Sequence, residues 1–159
     1  MKTYIGIDNG VTGSITVIND DYISVEPMPC KTEQSYTKAR QEITRIDVPV
    51  LKTMLSRIFL PCLVLLERPM VMPARFKQTM SAIRALEAVL ICIEAWKLPV
   101  RYIDSKEWQR EMLPQGTEKK ELKKVSLQIG MRLFPGVNWK GFKDADSLLM
   151  AEWARRNQL

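Results

Sequence analysis

Two short apolar segments that each end in a carboxylate constrain the fold of this chain most. Residues 3–8 read TYIGID, and residues 61–67 read PCLVLLE. The first segment alternates as a strand does, and the turn residues after it lead into a second strand over residues 13–18. The second segment is a continuous apolar run, which is typical of a central strand buried on both faces. Ligands bind beyond the carboxyl ends of strands in open α/β sheets, so Asp8 and Glu67 stand where a ligand would bind.

The other sequence patterns predict a single α/β domain over residues 1–159. We expect a mixed five-stranded sheet, in which an antiparallel meander is extended by parallel crossover strands and is flanked by helices. The further predicted elements are a third strand at 22–25, a polar surface loop at 30–45, a helix capped by Asp47, a helix at 74–96, a strand at 99–103, a helix capped by Ser105 that ends near 112, a helix capped by Thr117 and a helix at 144–156.

The absence of histidine removes several kinds of active site. Without histidine the chain cannot form a Ser-His-Asp triad, a Cys-His pair or an HExxH zinc site. The three cysteines, Cys30, Cys62 and Cys92, are widely spaced and include no CxxC pair, so we expect neither a disulfide framework nor a zinc site. An enzyme of this composition must work with carboxylates, Lys, Cys, Tyr or a bound metal.

The charge balance favours a polyanionic partner. The chain has 24 Lys and Arg residues against 18 Asp and Glu residues, which gives a formal net charge of +6. Nucleic acid is the partner that we expect, before membrane. No apolar run is long enough to span a bilayer and no signal peptide is recognised, so we expect a cytosolic or nucleoid location.

A third acidic position lies near the end of the chain, where residues 144–151 read DADSLLMA. With Asp8 and Glu67, the acids Asp144 and Asp146 would make an all-oxygen site without histidine, which suits Mg²⁺ or Mn²⁺. Two such ions can activate a water and stabilise the leaving oxygen in phosphodiester hydrolysis. Each acid also has a local explanation: an Asx turn at Asp8, an ion pair at Glu67, a helix cap at Asp144 and the helix dipole at Asp146.

Four segments in the same order resemble the RuvC-type Holliday junction resolvases of the ribonuclease H-like superfamily. They are IGIDNGVTGS, VLLERPM, LPVRYIDSKEWQREMLPQGTEKKELKKV and DADSLLMA, and the resemblance covers most of the chain. It implies a homodimeric endonuclease that resolves four-way DNA junctions by paired symmetric nicks. It also implies two Mg²⁺ or Mn²⁺ ions in each active site and products with 5′-phosphate and 3′-hydroxyl ends.

The resemblance carries over to individual residues. Asp8, Glu67 and Asp146 match three metal-binding carboxylates of the family. The family usually has a second aspartate three residues before the last of these, where this chain has Lys143. Asp144, two residues before it, is the candidate fourth ligand, and whether it lies in the helix or in its cap stays open. Lys119 or Lys120 matches the active-site lysine, and the alignment does not choose between them.

Basic and apolar residues are the predicted contacts to DNA. The segment after Glu67 has no acid up to residue 86, and the residues at 119–124 form a second basic cluster. The resemblance suggests that Met70 and Met72 enter the junction centre as an apolar wedge. We assign Phe76 and Met80 to the core. The predicted phosphate contacts are Arg68, Arg75, Lys77, Lys106, Lys123 and Lys124.

The long segment between residues 22 and 47 brings the pattern nearer to viral and plastid members of the family. A bacterial protein would act in the cytoplasm at the nucleoid, and a phage-encoded protein in the cytoplasm of its host. The apolar helix segment at 89–96 favours dimerisation, and a two-fold dimer would place one acidic site on each of two opposed strands.

Three other functions fit part of the sequence. A YqgF-type nuclease that acts on RNA shares the early Asp-x-Gly strand. The DNGVTG turn also fits the first phosphate loop of the actin and sugar-kinase group, although those proteins need two such domains. A junction-binding protein that has lost metal binding is the third, because the spacing of Asp144 and Asp146 departs from the family pattern.

Overall fold

The computed structural model describes residues 2–36, 38, 40–58 and 60–159. Its centre is a five-stranded sheet of order β3-β2-β1-β6-β7, beside a separate pair of strands, β4 and β5. The strands are β1 (Thr3–Ile7), β2 (Ser14–Ile18), β3 (Ile23–Pro27), β4 (Cys30–Gln34), β5 (Glu42–Ile46), β6 (Cys62–Glu67) and β7 (Val100–Ile103). The helices are α1 (Val48–Leu55), α2 (Phe76–Ala95), α3 (Ser105–Met112), α4 (Leu122–Leu133) and α5 (Asp146–Arg156), with a 3-10 turn at Pro73–Arg75.

The register of the sheet brings the ends of β1 and β6 together. β1 pairs antiparallel with β2 and parallel with β6, and Ile7 stands opposite Leu66. β7 continues the sheet parallel to β6, and β3 continues it antiparallel to β2. The predicted mixed sheet, a meander extended by parallel crossover strands, is therefore confirmed. Asp8 and Glu67 follow these two paired residues, so both lie at the same edge of the sheet.

Helices cover both faces of the sheet. On one face, α1 and α2 pack on side chains such as Ile5, Ile7 and Val64. On the other face, α3 and α5 pack on Tyr4 and Leu65. The central strands β1 and β6 are thus buried on both faces, which explains their apolar sequence. In the described part of the chain, no helix is long and apolar enough to cross a membrane.

α5 approaches the sheet closely because β1 has a glycine beneath it. A Cβ placed on Gly6 would lie 2.0 Å from the backbone oxygen of Ser147. The Ser147 hydroxyl is buried and forms hydrogen bonds with the hydroxyls of Ser14 (2.7 Å) and Thr16 (2.8 Å) on β2. This contact fixes the first turn of α5 against the sheet, and Asp146 is the residue directly before Ser147.

The prediction of an irregular loop at residues 30–45 is wrong. β4 and β5 form an antiparallel pair there, with Cys30 opposite Ile46 and Gln34 opposite Glu42. Most side chains of the pair are exposed, so the sequence lacks the alternation of apolar and polar residues that marks a half-buried strand. Ile46, at the end of β5, is buried in the core.

The predicted cap of α1 is confirmed, because the Asp47 side chain accepts a 3.3 Å hydrogen bond from the Val50 N–H. The predicted starts of three other helices need correction. α4 begins at Leu122 and not at Thr117, because the Thr117 hydroxyl donates to the carbonyl of Pro114 (2.7 Å) and belongs to the preceding turn. α3 is capped by Asp104 and not by Ser105. α5 begins two residues after Asp144.

The assignment of Phe76 and Met80 to the core is also wrong. Phe76 is 69 % exposed and Met80 is 36 % exposed. Both lie on the outer face of α2, whose inner face buries Ala85 and Val89. The sequence of α2 has apolar residues on more than one side of the helix. It therefore does not indicate which side faces the sheet.

Candidate metal centre

Four carboxylates meet at the carboxyl edge of β1 and β6. Asp8 follows β1, Glu67 ends β6, and Asp144 and Asp146 stand at the start of α5. One carboxylate oxygen each of Asp8, Asp144 and Asp146 lies within 4.8 Å of the other two. The Asp8 and Glu67 carboxyl groups are also neighbours, since each acts on the pKa of the other. The structure therefore brings together the acids that the sequence holds about 60 and 140 residues apart. We call these four residues the acidic cluster.

Asp144 lies directly before Ala145, the N-cap residue of α5, and belongs to the acidic cluster. It is 6 % exposed, and its Oδ1 accepts a hydrogen bond from the Asp146 N–H (3.4 Å). Its Oδ2 accepts from the Lys123 Nζ (2.7 Å). Asp144 is therefore not the N-cap of α5, which is Ala145, and its carboxylate turns toward Asp8 in the acidic cluster.

α4 supplies the polar groups that orient the start of α5. The Ser126 hydroxyl donates to the Asp146 carboxylate and accepts from the Ala145 N–H (3.1 Å). Sequence reasoning did not identify Ser126. Its signal would have been spacing, since Lys123, Ser126 and Gly130 repeat at three and four residues and so share one helix face. A Cβ on Gly130 would lie 2.5 Å from that of Ala145, so only glycine allows this approach.

Burial and mutual repulsion raise the pKa values of these acids. The pKa of Asp146 rises to about 7, first because the carboxyl is buried and then because Asp144 is negatively charged. Burial also raises the pKa of Asp8 and of Glu67, and each is raised further by a neighbouring carboxylate, Glu67 for Asp8 and Asp146 for Glu67. Such a cluster is costly to ionise without a nearby cation.

The donor set fits a divalent metal of the hard type. All the donors are carboxylate oxygens, which Mg²⁺ and Mn²⁺ prefer, and they come from rigid elements of the fold. A divalent ion would also relieve the repulsion that raises the pKa values. Asp8, Glu67, Asp144 and Asp146 are the residues that could hold it.

The lysines and arginines predicted to bind DNA or to act in the site differ in their partners. Lys119 and Lys120 stand in the exposed turn before α4, and Lys120 pairs with Glu118 (3.0 Å). In the described part of the chain, Lys123 is the lysine that forms an ion pair with the cluster. Arg68, directly after Glu67, pairs with Asp104 (3.1 Å) and lies over the Tyr102 ring.

The remaining predicted DNA contacts are on the surface. Arg75 and Lys77 are exposed at the start of α2, Lys106 is exposed on α3, and Lys124 is exposed on α4. Met70 is 62 % exposed, whereas Met72 is partly buried and its backbone N–H donates to the Thr79 hydroxyl (3.0 Å). The neighbouring Val71, which belongs to the same apolar segment, is 60 % exposed.

We expect the metal-free protein to lose stability as the pH rises from about 5 to about 8. The pKa of Asp146 is about 7 in the folded state, above its unfolded value of about 4. The folded state therefore binds more protons than the unfolded state in this interval, and the free energy of unfolding falls as the pH rises. Asp8 and Glu67 act in the same direction. Urea titrations should show a loss of about 2 kcal/mol or more.

Asp146→Asn is the control for this prediction. Asparagine keeps an oxygen that accepts the Ser126 hydrogen bond but carries no charge, so the stability of the variant should change less with pH. Adding Mg²⁺ at about pH 8 should restore stability to the wild type, because a ligand of the folded state stabilises it. A metal-free wild type that becomes more stable between these pH values would contradict the electrostatic description.

The fold is shared with solved structures of junction resolvases. The structure of Thermus thermophilus RuvC in complex with a Holliday junction substrate has a TM-score of 0.60 and 18% sequence identity, and the match covers 99% of this chain and 97% of that chain. A second T. thermophilus RuvC structure has a TM-score of 0.55 and 14% identity, over 98% and 96% of the two chains. The yeast mitochondrial Holliday junction resolvase Ydc2 has a TM-score of 0.56 and 17% identity, over 98% of this chain and 78% of that chain.

No protein-family model matches the sequence, and no curated protein matches it either. At 14 to 18% identity, the likeness concerns the three-dimensional structure. The predicted fold class is thereby confirmed, and the chain has the ribonuclease H-like fold of the RuvC structures.

Proposed function

We propose that this protein is a metal-dependent endonuclease that resolves four-way DNA junctions by paired symmetric nicks. The observation that carries the proposal is the convergence of Asp8, Asp144 and Asp146, with Glu67 beside them at the end of β6, at one edge of the sheet. The fold of this sheet matches a junction-bound RuvC along nearly its whole length. The products would have 5′-phosphate and 3′-hydroxyl ends. A YqgF-type action on RNA is the alternative within the same fold, and no contact described above favours it.

The four carboxylates would hold two Mg²⁺ or Mn²⁺ ions in each site. When bound, the ions activate a water for attack on the phosphodiester and stabilise the leaving oxygen. The task of the protein is to hold the carboxylates in place: Ser126 orients Asp146, and Ser147 fixes the helix that carries it. Lys119 and Lys120 remain candidates for phosphate contacts beside the site.

The surface around the site supports binding to branched DNA. Exposed Arg68, Arg75 and Lys77 follow the last residue of β6, and exposed lysines at 119, 120, 123 and 124 lie at the start of α4. These two basic groups lie between Glu67 and Asp144 in the sequence and would bind phosphates without reading the base sequence. Met70, Val71 and Phe76, which are 62 %, 60 % and 69 % exposed, are the candidates for an apolar wedge at the junction centre.

The outer face of α2 supports a homodimer. Phe76, Met80, Ile83 and Ile91 repeat at helical spacing along this face and are 36 to 69 % exposed. A stripe of large apolar side chains on a helix is typical of a surface that another molecule covers. A second copy of the chain would bury both stripes around a two-fold axis and bring two sites to one junction.

We expect Ile83→Lys to prevent dimerisation. Ile83 is 41 % exposed and lies within the stripe, and a lysine there would have to lose its hydration in the dimer. The dimer dissociation constant should rise by about 100-fold or more. Light scattering should give twice the chain mass of 18.3 kDa for the wild type and the single mass for the variant.

Met131→Lys is the matched control for this variant. Met131 is 48 % exposed on α4, outside the stripe, so its replacement should leave the mass unchanged. A wild type that is monomeric at all concentrations, or an Ile83→Lys protein that stays dimeric, would contradict the assignment of this surface.

Cleavage of a labelled four-way junction tests the proposed function. The purified protein is incubated with a mobile-core junction and with a linear duplex of the same sequence, in Mg²⁺, in Mn²⁺ and in EDTA. The proposal requires metal-dependent, symmetric and religatable nicks in the junction alone. Cleavage of RNA in place of the junction would indicate the alternative nuclease.

A junction-binding protein without nuclease activity is the second candidate. The ion pair between Lys123 and Asp144 favours it, because an ammonium already occupies one carboxylate of the cluster. Such a protein would bind the junction tightly in EDTA and would cut it in no metal. The cleavage assay above, combined with a gel-shift measurement, separates the two candidates.

A further inference from the structure

Lys123 is bound to the acidic cluster through its ammonium but remains open to solvent. Its Nζ lies 2.7 Å from Asp144 Oδ2, and the Lys123 side chain is 63 % exposed whereas that of Asp144 is 7 % exposed. Lys123 is the second residue of α4, so the helix fixes its backbone. The ammonium is at the end of a flexible side chain of four methylene groups. The ammonium can therefore leave Asp144 without a change in the fold.

The ammonium lies in the field of several acids. The negative charges of Asp8 and Asp146 act on it together with that of Asp144. The neighbouring lysines have other partners, since Lys120 pairs with Glu118 and Lys124 lies 3.9 Å from Glu121. Lys123 thus supplies a positive charge that a metal would otherwise supply, at a carboxylate that belongs to the acidic cluster.

We propose that Lys123 is a built-in counter-ion that competes with the divalent metal for Asp144 and, once displaced, binds a phosphate of the DNA. The first half concerns metal binding alone, and the second half rests on the proposed function. A displaced ammonium stays at the mouth of the site, because its side chain is anchored in α4. There it can act on a phosphate as a point charge.

This role predicts effects of opposite sign on stability and on metal binding. Removing the ammonium leaves the carboxylates without their neighbouring cation, so the metal-free protein should unfold at a lower temperature. The same change removes the competitor, so a divalent ion should bind more tightly. An ion pair that merely held Asp144 in position for the metal would behave differently, because its loss would weaken metal binding.

The experiment compares Lys123→Met with Lys124→Met. The control removes an equal charge from the next residue of α4, where the side chain faces Glu121 and not the cluster. Calorimetry measures the affinity for Mn²⁺, and thermal unfolding in EDTA gives the Tm. For Lys123→Met we expect a Kd for Mn²⁺ about fivefold lower than that of the wild type and a Tm lower by about 2 to 4 °C. Lys124→Met should leave both values near those of the wild type.

Lys123→Gln is a second variant that removes the charge and keeps a polar side chain, so that a packing effect of methionine does not decide the result. Mn²⁺ binding that is unchanged or weaker in both variants would overturn the counter-ion role. Tighter binding in both would support it, even if the wild type cuts no DNA, in which case the proposed function alone fails.

Single-turnover cleavage at saturating Mn²⁺ tests the second half of the proposal. If the wild type cleaves junctions, Lys123→Met should cleave them about tenfold more slowly although it binds the metal more tightly. An unchanged cleavage rate would overturn the phosphate contact and leave the competition for Asp144 standing.

Discussion

We expect Asp8→Asn to abolish the proposed junction cleavage and to leave junction binding intact. Asp8 follows the central strand β1, its pKa is raised by the neighbouring Glu67, and one of its oxygens lies within 4.8 Å of those of Asp144 and Asp146. Replacing it removes a ligand charge from the site at which a metal would polarise the phosphate, an effect worth several kcal/mol. The single-turnover rate should fall by about 1,000-fold or more. Gel shifts in EDTA should show unchanged or slightly tighter binding, because a negative charge has been removed near the DNA.

Asp21→Asn is the matched control for Asp8→Asn. Asp21 is exposed in the turn between β2 and β3, far along the sheet from the acidic cluster, so the same chemical change there should leave cleavage and binding as in the wild type. If Asp8→Asn cleaved the junction at the wild-type rate, the metal site would have to lie elsewhere.

We expect Gly6→Ala to destabilise the protein strongly. The added Cβ would meet the Ser147 oxygen at 2.0 Å and the Ala151 nitrogen at 3.1 Å, and both atoms belong to the backbone of α5. A helix backbone cannot rotate out of the way as a side chain can, so α5 must move off the sheet. Overpacking of this kind costs about 3 kcal/mol or more, which urea titration would measure directly.

The same variant should also impair the site. α5 carries Asp146, and a shift of the helix would separate this acid from Asp8 and break the Ser147 hydrogen bonds to Ser14 and Thr16. Gly136→Ala is the control, because its added Cβ would meet no atom within 4 Å. Equal stability of the two variants would show that α5 does not depend on the glycine beneath it.

Much of the fold could be predicted because it depends on local patterns. The alternating segment at Thr3–Ile7 and the continuous apolar run at Cys62–Glu67 record burial directly, so the central strands were recognised. The Asp47 cap was also recognised, since a cap is a contact between residues three apart. The β4–β5 pair was missed because its side chains are mostly exposed and leave no apolar pattern.

The start of α4 was misplaced for a related reason. Thr117 is a good cap residue by type, but its hydroxyl is used by the carbonyl of Pro114 in the preceding turn. Phe76 and Met80 were assigned to the core because they are apolar and correctly spaced. Spacing gives the shared face of a helix and leaves open whether that face meets the sheet or the surface.

By itself the sequence determined which elements end in acids, and hence that Asp8 and Glu67 leave the same edge of a mixed sheet. The apolar runs and the expectation of parallel crossover strands are sufficient for that prediction, because parallel neighbours end at one edge. Only the tertiary structure decided that the Asp144 carboxylate turns toward Asp8. It also decided that two α4 residues contact these acids, Lys123 with Asp144 and Ser126 with Asp146. Those contacts join segments about 20 residues apart through the packing of α4 on α5. Packing between two helices depends on which of their faces meet, and no local sequence pattern shows this.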